Sequence, residues 1–139
     1  MILVDTGPVV AALVPTDADH RRCVDFFDHY RGDLLISPYV VHEVCYLIER
    51  DMGPKVEAVF IRSLARREMI QVEITSVDLA RIAELIGIYA DFPLGTADAS
   101  IVALAERMAV SEIATLNHRH FRAVRPRHLG AFRLLPEGF

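Results

Sequence analysis

Three carboxylates and one amide occupy positions where chemistry is expected: Asp5, Glu43, Asp98 and Asn117. Asp5 closes a short apolar run, Asp98 lies in the first turn of a predicted helix, and Asn117 follows a later apolar run. Glu43 lies in a helix that is apolar on nearly every side, so we expect its carboxylate to be partly buried. Taken singly, each acid has an ordinary explanation: a helix cap for Asp5, a polar stripe for Glu43 and the helix macrodipole for Asp98.

Taken together, these residues predict a site for a hard divalent cation. In an open α/β sheet, residues beyond the carboxyl ends of the strands converge on one crevice, and Glu43 can reach it from its helix. Carboxylates about 5 Å apart repel one another by about 3 kcal/mol per pair at an effective dielectric constant of about 20, so the cluster requires a cation. All-oxygen ligands select Mg²⁺ or Mn²⁺.

Other catalytic and ligand-binding motifs are missing from the sequence. It contains no HExxH, no Cys/His cluster, no GxxxxGK[ST] and no GxGxxG, which leaves a phosphodiester or a phosphate as the expected ligand. A phosphatase that forms an aspartyl phosphate would need a second Asp two residues after Asp5, and position 7 is Gly.

The predicted elements alternate between short strands and amphipathic helices. Apolar runs predict strands at 1–4, 34–36, 70–74, 112–116 and 132–135, with a Gly7-Pro8 turn after the first. Helical spacing predicts helices at 9–14, 17–30, 39–52, 56–67, 76–90 and 96–108. Ser37, followed by Pro38, and Ser76 are expected to cap the helices that follow them, and Gly53-Pro54 is an expected stop. This alternation predicts an α/β sandwich with a mostly parallel sheet.

Length and composition limit the class of protein. A chain of 139 residues with 53% hydrophobic and 24% charged residues predicts one compact domain. The net charge of −4 argues against a simple basic nucleic-acid sleeve, although every basic residue except Lys55 is Arg, which binds phosphate well. The two cysteines are expected to be reduced core thiols. With no signal peptide or membrane span expected, we predict a soluble, cytoplasmic protein.

The sequence resembles the PIN-domain proteins and, among them, the VapC ribonuclease toxins of bacterial type II toxin–antitoxin systems. The resemblance covers nearly the whole chain and rests on an ordered set of segments: MILVDTGPVVAAL, SPYVVHEVCYLIER and LGTADASIVALAERMAVSEIATLNHRHF. It implies a single PIN-like domain over residues 1–139. The implied fold has three layers, α/β/α, around a mostly parallel sheet of four to five strands.

The resemblance also implies a role for each site residue. Asp5, Glu43 and Asp98 match the three acids of the family's Mg²⁺ site, in which Mn²⁺ is expected to substitute. Thr6 and Thr115 match hydroxyl positions that orient water or phosphate.

Asn117 falls on the family's fourth metal-site position, where many relatives have Asp. An amide oxygen can still bind Mg²⁺, but the site then carries three formal negative charges instead of four.

The implied activity is a metal-dependent endoribonuclease that cleaves a structured RNA, such as a tRNA or a ribosomal RNA. The implied partners are a cognate VapB-type antitoxin and a second copy of the chain. Four arginines near the carboxyl end are candidates for binding the RNA backbone, although such a run is usually a solvated face: Arg119, Arg122, Arg125 and Arg127. Two alternatives remain open, a PIN-fold protein-binding module with little catalysis and a phosphohydrolase of small substrates.

Overall fold

The computed structural model describes residues 1–137. Five strands within this range form one parallel sheet. The strands are β1 (Ile2–Val4), β2 (Leu34–Ile36), β3 (Ile70–Gln71), β4 (Glu112–Ala114) and β5 (Arg133–Leu135). Their order across the sheet is β3-β2-β1-β4-β5, and Leu3 of β1 lies opposite Leu35 on one side and Ile113 on the other. The strand order therefore reverses at β1, and a crevice forms at the carboxyl ends of β1 and β4.

Seven helices connect the strands within this described part of the chain. They are α1 (Thr6–Leu13), α2 (His20–His29), α3 (Pro38–Met52), α4 (Pro54–Ala65), α5 (Ser76–Ile88), α6 (Thr96–Met108) and α7 (His118–Ala123). Helix α1 packs on both α2 and α3, α3 packs on α4, α5 packs on α6, and α3 also contacts α6. No helix within residues 1–137 is long and apolar enough to cross a membrane.

The core lies on β1, β2, β4 and α6. All three residues of β1 are fully buried, as expected for a central parallel strand covered on both faces. Helix α6 buries every residue from Ala99 to Ala105, so it runs through the interior rather than over the surface. Its ends are therefore the places where α6 can present polar side chains.

The predicted limits of α3 are confirmed. The Ser37 hydroxyl accepts a hydrogen bond from the Tyr39 amide, and Pro38 takes the first helical position, where its missing N–H costs nothing. At the other end, Gly53 has φ +83°, a left-handed conformation that glycine adopts without a steric penalty. Pro54 then begins α4 directly.

Two predicted helix starts are wrong. Helix α1 begins at Thr6 without a preceding Gly7-Pro8 turn, because Asp5 caps it and Pro8 is tolerated in the first turn. Helix α5 is capped by Thr75, so that Ser76 is its first helical residue.

The predictions also missed one helix and lengthened two strands. Helix α7 has six residues and no apolar period long enough to indicate it. Strand pairing ends at Gln71 in β3 and at Ala114 in β4, earlier than the predicted 74 and 116. The shorter β4 leaves Thr115 and Asn117 beyond the strand, at the edge where the crevice forms.

Candidate active site

The crevice at the reversal point has a volume of about 450 Å³. Its walls come from the ends of β1 and β4, the start of α6 and the middle of α3. The lining residues are Asp5, Thr6, Gly7, Glu43, Leu47, Asp98, Leu116 and Asn117. The structure thus brings all four predicted metal-site residues to one cavity, together with Thr6. No basic side chain is among the lining residues.

Asp5 is the most buried acid of the crevice and is held by two hydrogen bonds. Its Oδ1 accepts from the Thr6 amide at 2.8 Å, and its Oδ2 accepts from the Thr115 hydroxyl at 2.8 Å. Burial and, next, the charge of Asp98 raise the pKa of Asp5 to about 6. Both hydrogen bonds act to lower this pKa, and the charge of Glu43 adds a smaller increase. The helix-capping explanation is correct, but it leaves this repulsion unrelieved.

Asp98 lies in the first turn of α6 and makes no capping hydrogen bond there. Burial and, next, the charge of Glu43 raise the pKa of Asp98 to about 6. Both causes disfavour the charged form of the carboxyl group, whereas the positive end of the helix dipole favours it.

The expectation that Glu43 is partly buried is wrong, because its side chain is exposed. It belongs to an exposed stripe of α3 that also includes His42, Tyr46 and Glu49. The stripe passes the mouth of the crevice, so Glu43 still lines the cavity and repels both aspartates.

The two predicted hydroxyl residues have different surroundings. Thr115 is fully buried, donates to Asp5 and accepts from the Asn117 amide at 2.9 Å, so its hydroxyl holds the edge of the crevice together. The Thr6 hydroxyl is buried at the crevice and has no hydrogen-bond partner within the described residues. A buried hydroxyl of this kind is expected to bind a ligand or an ordered water.

Asn117 lines the crevice, but its side chain is also engaged in local structure. Its Oδ1 caps α7 by accepting from the His120 amide at 3.4 Å, and its Nδ2 contacts the His120 ring. That ring packs edge-on against Phe92, with ring centroids 4.8 Å apart. The amide oxygen is therefore shared between helix capping and any ligand role.

The donor chemistry fits a hard cation, although the acids are not drawn together. Three carboxylates, one amide oxygen and the unpartnered Thr6 hydroxyl line one cavity. The pKa values of Asp5 and Asp98 are raised first by burial and next by the charge of a neighbouring acid. Within residues 1–137, no three Asp, Glu, His or Cys side chains lie close enough to enclose a metal ion. A cation would therefore have to bring the acids closer together.

The four candidate RNA-binding arginines are exposed, and none of them lines the crevice. Arg122 borders a separate cavity with His118, and Arg127 forms an ion pair with Glu84 at 2.8 Å. Their proposed contact with RNA stays a prediction.

Sequence reasoning missed three uncharged residues of the wall, Gly7, Leu47 and Leu116. Leu47 could have been found, because it lies one helical turn after Glu43 and so shares its face. Gly7 faces Leu116: an added Cβ at position 7 would lie 3.3 Å from the Leu116 side chain, so a small residue keeps this wall open.

Comparison with known proteins establishes the family. A profile of the PIN domain matches residues 2–125. Ribonuclease VapC26 of Mycobacterium tuberculosis is 32% identical over 135 residues, which cover 97% of this chain and 100% of that protein. This chain therefore belongs to the PIN domain family, and its identification as a VapC-type member is confirmed.

Solved structures agree on the fold. VapC20 of Mycobacterium tuberculosis, described as a sarcin-ricin loop cleaving toxin, has a TM-score of 0.77 at 17% identity, covering 81% of this chain and 87% of its own. VapBC2 of Rickettsia felis, bound to a DNA fragment from its promoter, has a TM-score of 0.68 at 16% identity. The match covers 96% of this chain and 97% of that chain. The predicted α/β PIN fold is confirmed, with a sheet that is parallel throughout.

Proposed function

We propose that this protein is a metal-dependent endoribonuclease that acts as the toxin of a toxin–antitoxin module and cuts a structured RNA. The main support is the crevice in which buried Asp5 and half-buried Asp98 have raised pKa values and lack a basic partner. Perturbed acids that converge in a cleft are typical of functional sites. A structured RNA such as a ribosomal RNA or a tRNA is the proposed substrate, in keeping with the description of VapC20.

Asp5 and Asp98 would hold Mg²⁺ directly, Glu43 directly or through water, and the Asn117 amide oxygen would complete the set. When bound, the ion supplies a water-derived nucleophile and neutralises charge at the phosphate. The Thr115 hydroxyl holds the Asp5 carboxylate in place, and the unpartnered Thr6 hydroxyl is available to orient a water or a phosphate oxygen. No side chain of the protein has to act as the nucleophile.

The toxin role is tested by expressing the chain alone and with the small protein encoded beside it. We expect growth arrest from the chain alone and relief by the neighbour. The purified chain should cut RNA with Mn²⁺ and stop in chelator. RNA left intact, with relief of some other effect by the neighbour, would favour the protein-binding alternative, whereas cleavage of small phosphate esters alone would favour the phosphohydrolase.

Two apolar surfaces support binding to partner proteins. A groove of about 260 Å³ between α1, α2 and α4 is lined mainly by apolar side chains, and a concave surface of this kind suits a segment of the proposed VapB-type antitoxin. Helix α5 exposes the large apolar residues Val77, Leu79, Ile86 and Ile88, and Glu84 is the one charged residue exposed on this helix. At about 100° per residue, Val77 and Ile88 lie along one edge of the exposed side of α5 and Leu79 and Ile86 lie along the other, with small residues between them. A broad apolar helix face of this kind suits a second copy of the chain.

We expect the purified chain to be a homodimer that uses this face of α5. Light scattering should give twice the chain mass of 15.6 kDa. Val77→Asp should reduce the mass to that of the monomer, because it places a charge in the apolar contact. The matched control Val59→Asp, on the exposed face of α4, should remain dimeric. A wild-type monomer at tens of micromolar would contradict the prediction.

A further inference from the structure

Two buried serines connect the helices that carry Glu43 and Asp98. Ser37 caps α3, Ser100 lies in α6, and both are fully buried. Their Oγ atoms are 2.6 Å apart. Within residues 1–137 this is the one hydrogen bond between α3, with its cap, and α6.

The direction of each hydrogen bond in this pair follows from the neighbouring contacts. The Ser100 hydroxyl donates to the Ala97 carbonyl at 2.6 Å, so the Ser37 hydroxyl must donate to Ser100 Oγ. Ser37 Oγ in turn accepts from the Tyr39 amide at 3.2 Å. A continuous chain of hydrogen bonds therefore runs from the first turn of α3 to the first turn of α6, with every hydroxyl hydrogen used.

This chain constrains the two helices differently from the apolar core around it. Val40 and Val44 of α3 and Ile101 of α6 are buried in the shared core, where apolar contact is non-directional and tolerates small sliding movements. A hydrogen bond between buried hydroxyls requires a narrow range of length and angle. The serine pair therefore adds a directional contact to the apolar packing between α3 and α6.

We propose that Ser37 and Ser100 are positioning residues that set the distance between Glu43 and Asp98 across the crevice. Asp98 lies two residues before Ser100, and Glu43 lies six residues after Ser37 on a continuous helix. The inference rests on the proposed metal-dependent function. It matters most for Glu43, whose exposed side chain has no hydrogen bond of its own to fix it. A small cation with strict ligand geometry is sensitive to such spacing.

The test is calorimetric titration of Mn²⁺ alone into the full chain. Ser100→Ala should weaken Mn²⁺ binding about tenfold, the lower end of what loss of an outer hydrogen bond costs a metal site. Ser63→Ala is the matched control, since Ser63 makes the same kind of bond to the Phe60 carbonyl at 2.6 Å, in α4 and away from the crevice. Mn²⁺ affinity of the control should equal that of wild type.

Two further variants separate positioning from loss of stability. Ser100→Thr restores the hydroxyl and should recover Mn²⁺ affinity. Ser100→Cys places a somewhat larger group with weaker hydrogen bonds at the same position, and its Mn²⁺ affinity should fall between those of wild type and Ser100→Ala. If Ser100→Ala does not fold, Ser100→Cys is compared with the control instead. An affinity within twofold of wild type in the variant tested overturns the proposal.

Asp98→Asn distinguishes this inference from the proposed function. If Asp98→Asn abolishes Mn²⁺ binding while Ser100→Ala leaves it unchanged, the positioning role is wrong and the metal site stands. If Asp98→Asn binds Mn²⁺ as wild type does, the proposed function fails and the positioning role fails with it.

Discussion

The two ends of α6 carry acids in opposite electrostatic settings. At the first turn, Asp98 faces a crevice that has no basic lining residue, and burial followed by repulsion from Glu43 raises the pKa of Asp98 to about 6. At the last turn, Glu106 accepts two hydrogen bonds from Arg81, at 2.8 and 2.9 Å, and one from the Arg127 amide. Burial acts to raise the pKa of Glu106 too, but these bonds outweigh it and lower that pKa below its ordinary value.

The difference separates an acid that serves the fold from one that does not. Glu106 is compensated within the chain, as is buried Asp78, which accepts from Arg107 at 3.0 Å and caps α5 through the Thr75 amide. Asp98 and Asp5 keep a repulsion that folding alone would not select, and a bound cation would relieve it.

Asp5→Asn and Asp98→Asn should each reduce RNA cleavage at least about a hundredfold, because a metal ligand supplies several kcal/mol of transition-state stabilisation. Asp98→Asn should melt no lower than wild type in chelator, since it removes a repelled charge and no hydrogen bond. Asp5→Asn also removes a repelled charge, but it replaces one of two oxygens that accept hydrogen bonds, so its melting temperature should lie below that of Asp98→Asn. Cleavage assays with Mn²⁺ and thermal melts in chelator measure the two effects. Unchanged cleavage in either variant would remove that acid from the site.

Glu106→Gln should have the opposite profile, with stability lost and chemistry kept. Both Glu106 and Arg81 are about nine-tenths buried, and removing one charge of such a pair leaves the other uncompensated. We expect a loss of about 2–3 kcal/mol in the free energy of unfolding, below the full cost of a broken pair because Arg81 keeps its bond to Glu84. Urea unfolding measures it, and Mn²⁺ affinity of the folded variant should be unchanged.

The same variant has a defined pH signature. Because the folded-state pKa of Glu106 is lowered, the unfolded chain binds more protons near the ordinary value of 4.5. The stabilisation from Glu106 is thus complete above that pH and is lost as the pH falls through the lowered pKa. Wild type should lose stability over this range, and Glu106→Gln should lose less, with Asp78 still contributing. Equal slopes would mean that the pair does not stabilise the fold.

The contrast between the two ends of α6 also marks the limit of sequence reasoning. Strands β1, β2 and β5 and helices α3 and α6 were predictable because apolar period, a Ser-Pro start or a Gly-Pro stop indicates each of them. The convergence of Asp5, Glu43 and Asp98 on one crevice followed from the predicted topology. The ion pair between Arg81 and Glu106 was not predictable from the sequence. These two residues are 25 positions apart, and only tertiary packing brings them together.

Exposure was a second quantity that the sequence did not reveal. Helix α3 is apolar enough that Glu43 was expected to be partly buried, yet its stripe faces outward beside the crevice. The Ser37–Ser100 bond joins residues 63 positions apart and has no local pattern. Both features depend on how α3 packs in three dimensions rather than on the period of a single helix.

Asn117→Asp should give the smallest effect, because it adds a fourth acid to the crevice at a position already engaged in local structure. A carboxylate still caps α7, and its oxygen can accept from His120 where the amide now contacts that ring. In chelator the variant should melt slightly lower than wild type, because the added carboxylate increases the repulsion. Mn²⁺ should raise the melting temperature of the variant more than that of wild type, since a ligand that binds only the folded state stabilises it by mass action.

The control for this prediction is the double variant Asn117→Asp, His120→Gln, which removes the ring that could compensate the new charge. If His120 partly pairs Asp at position 117, the double variant should melt lower still in chelator and gain the most from Mn²⁺. Calorimetric melts of the three proteins with and without Mn²⁺ decide the order. An identical metal-induced shift in all three would place position 117 outside the metal site and leave its side chain the single role of capping α7.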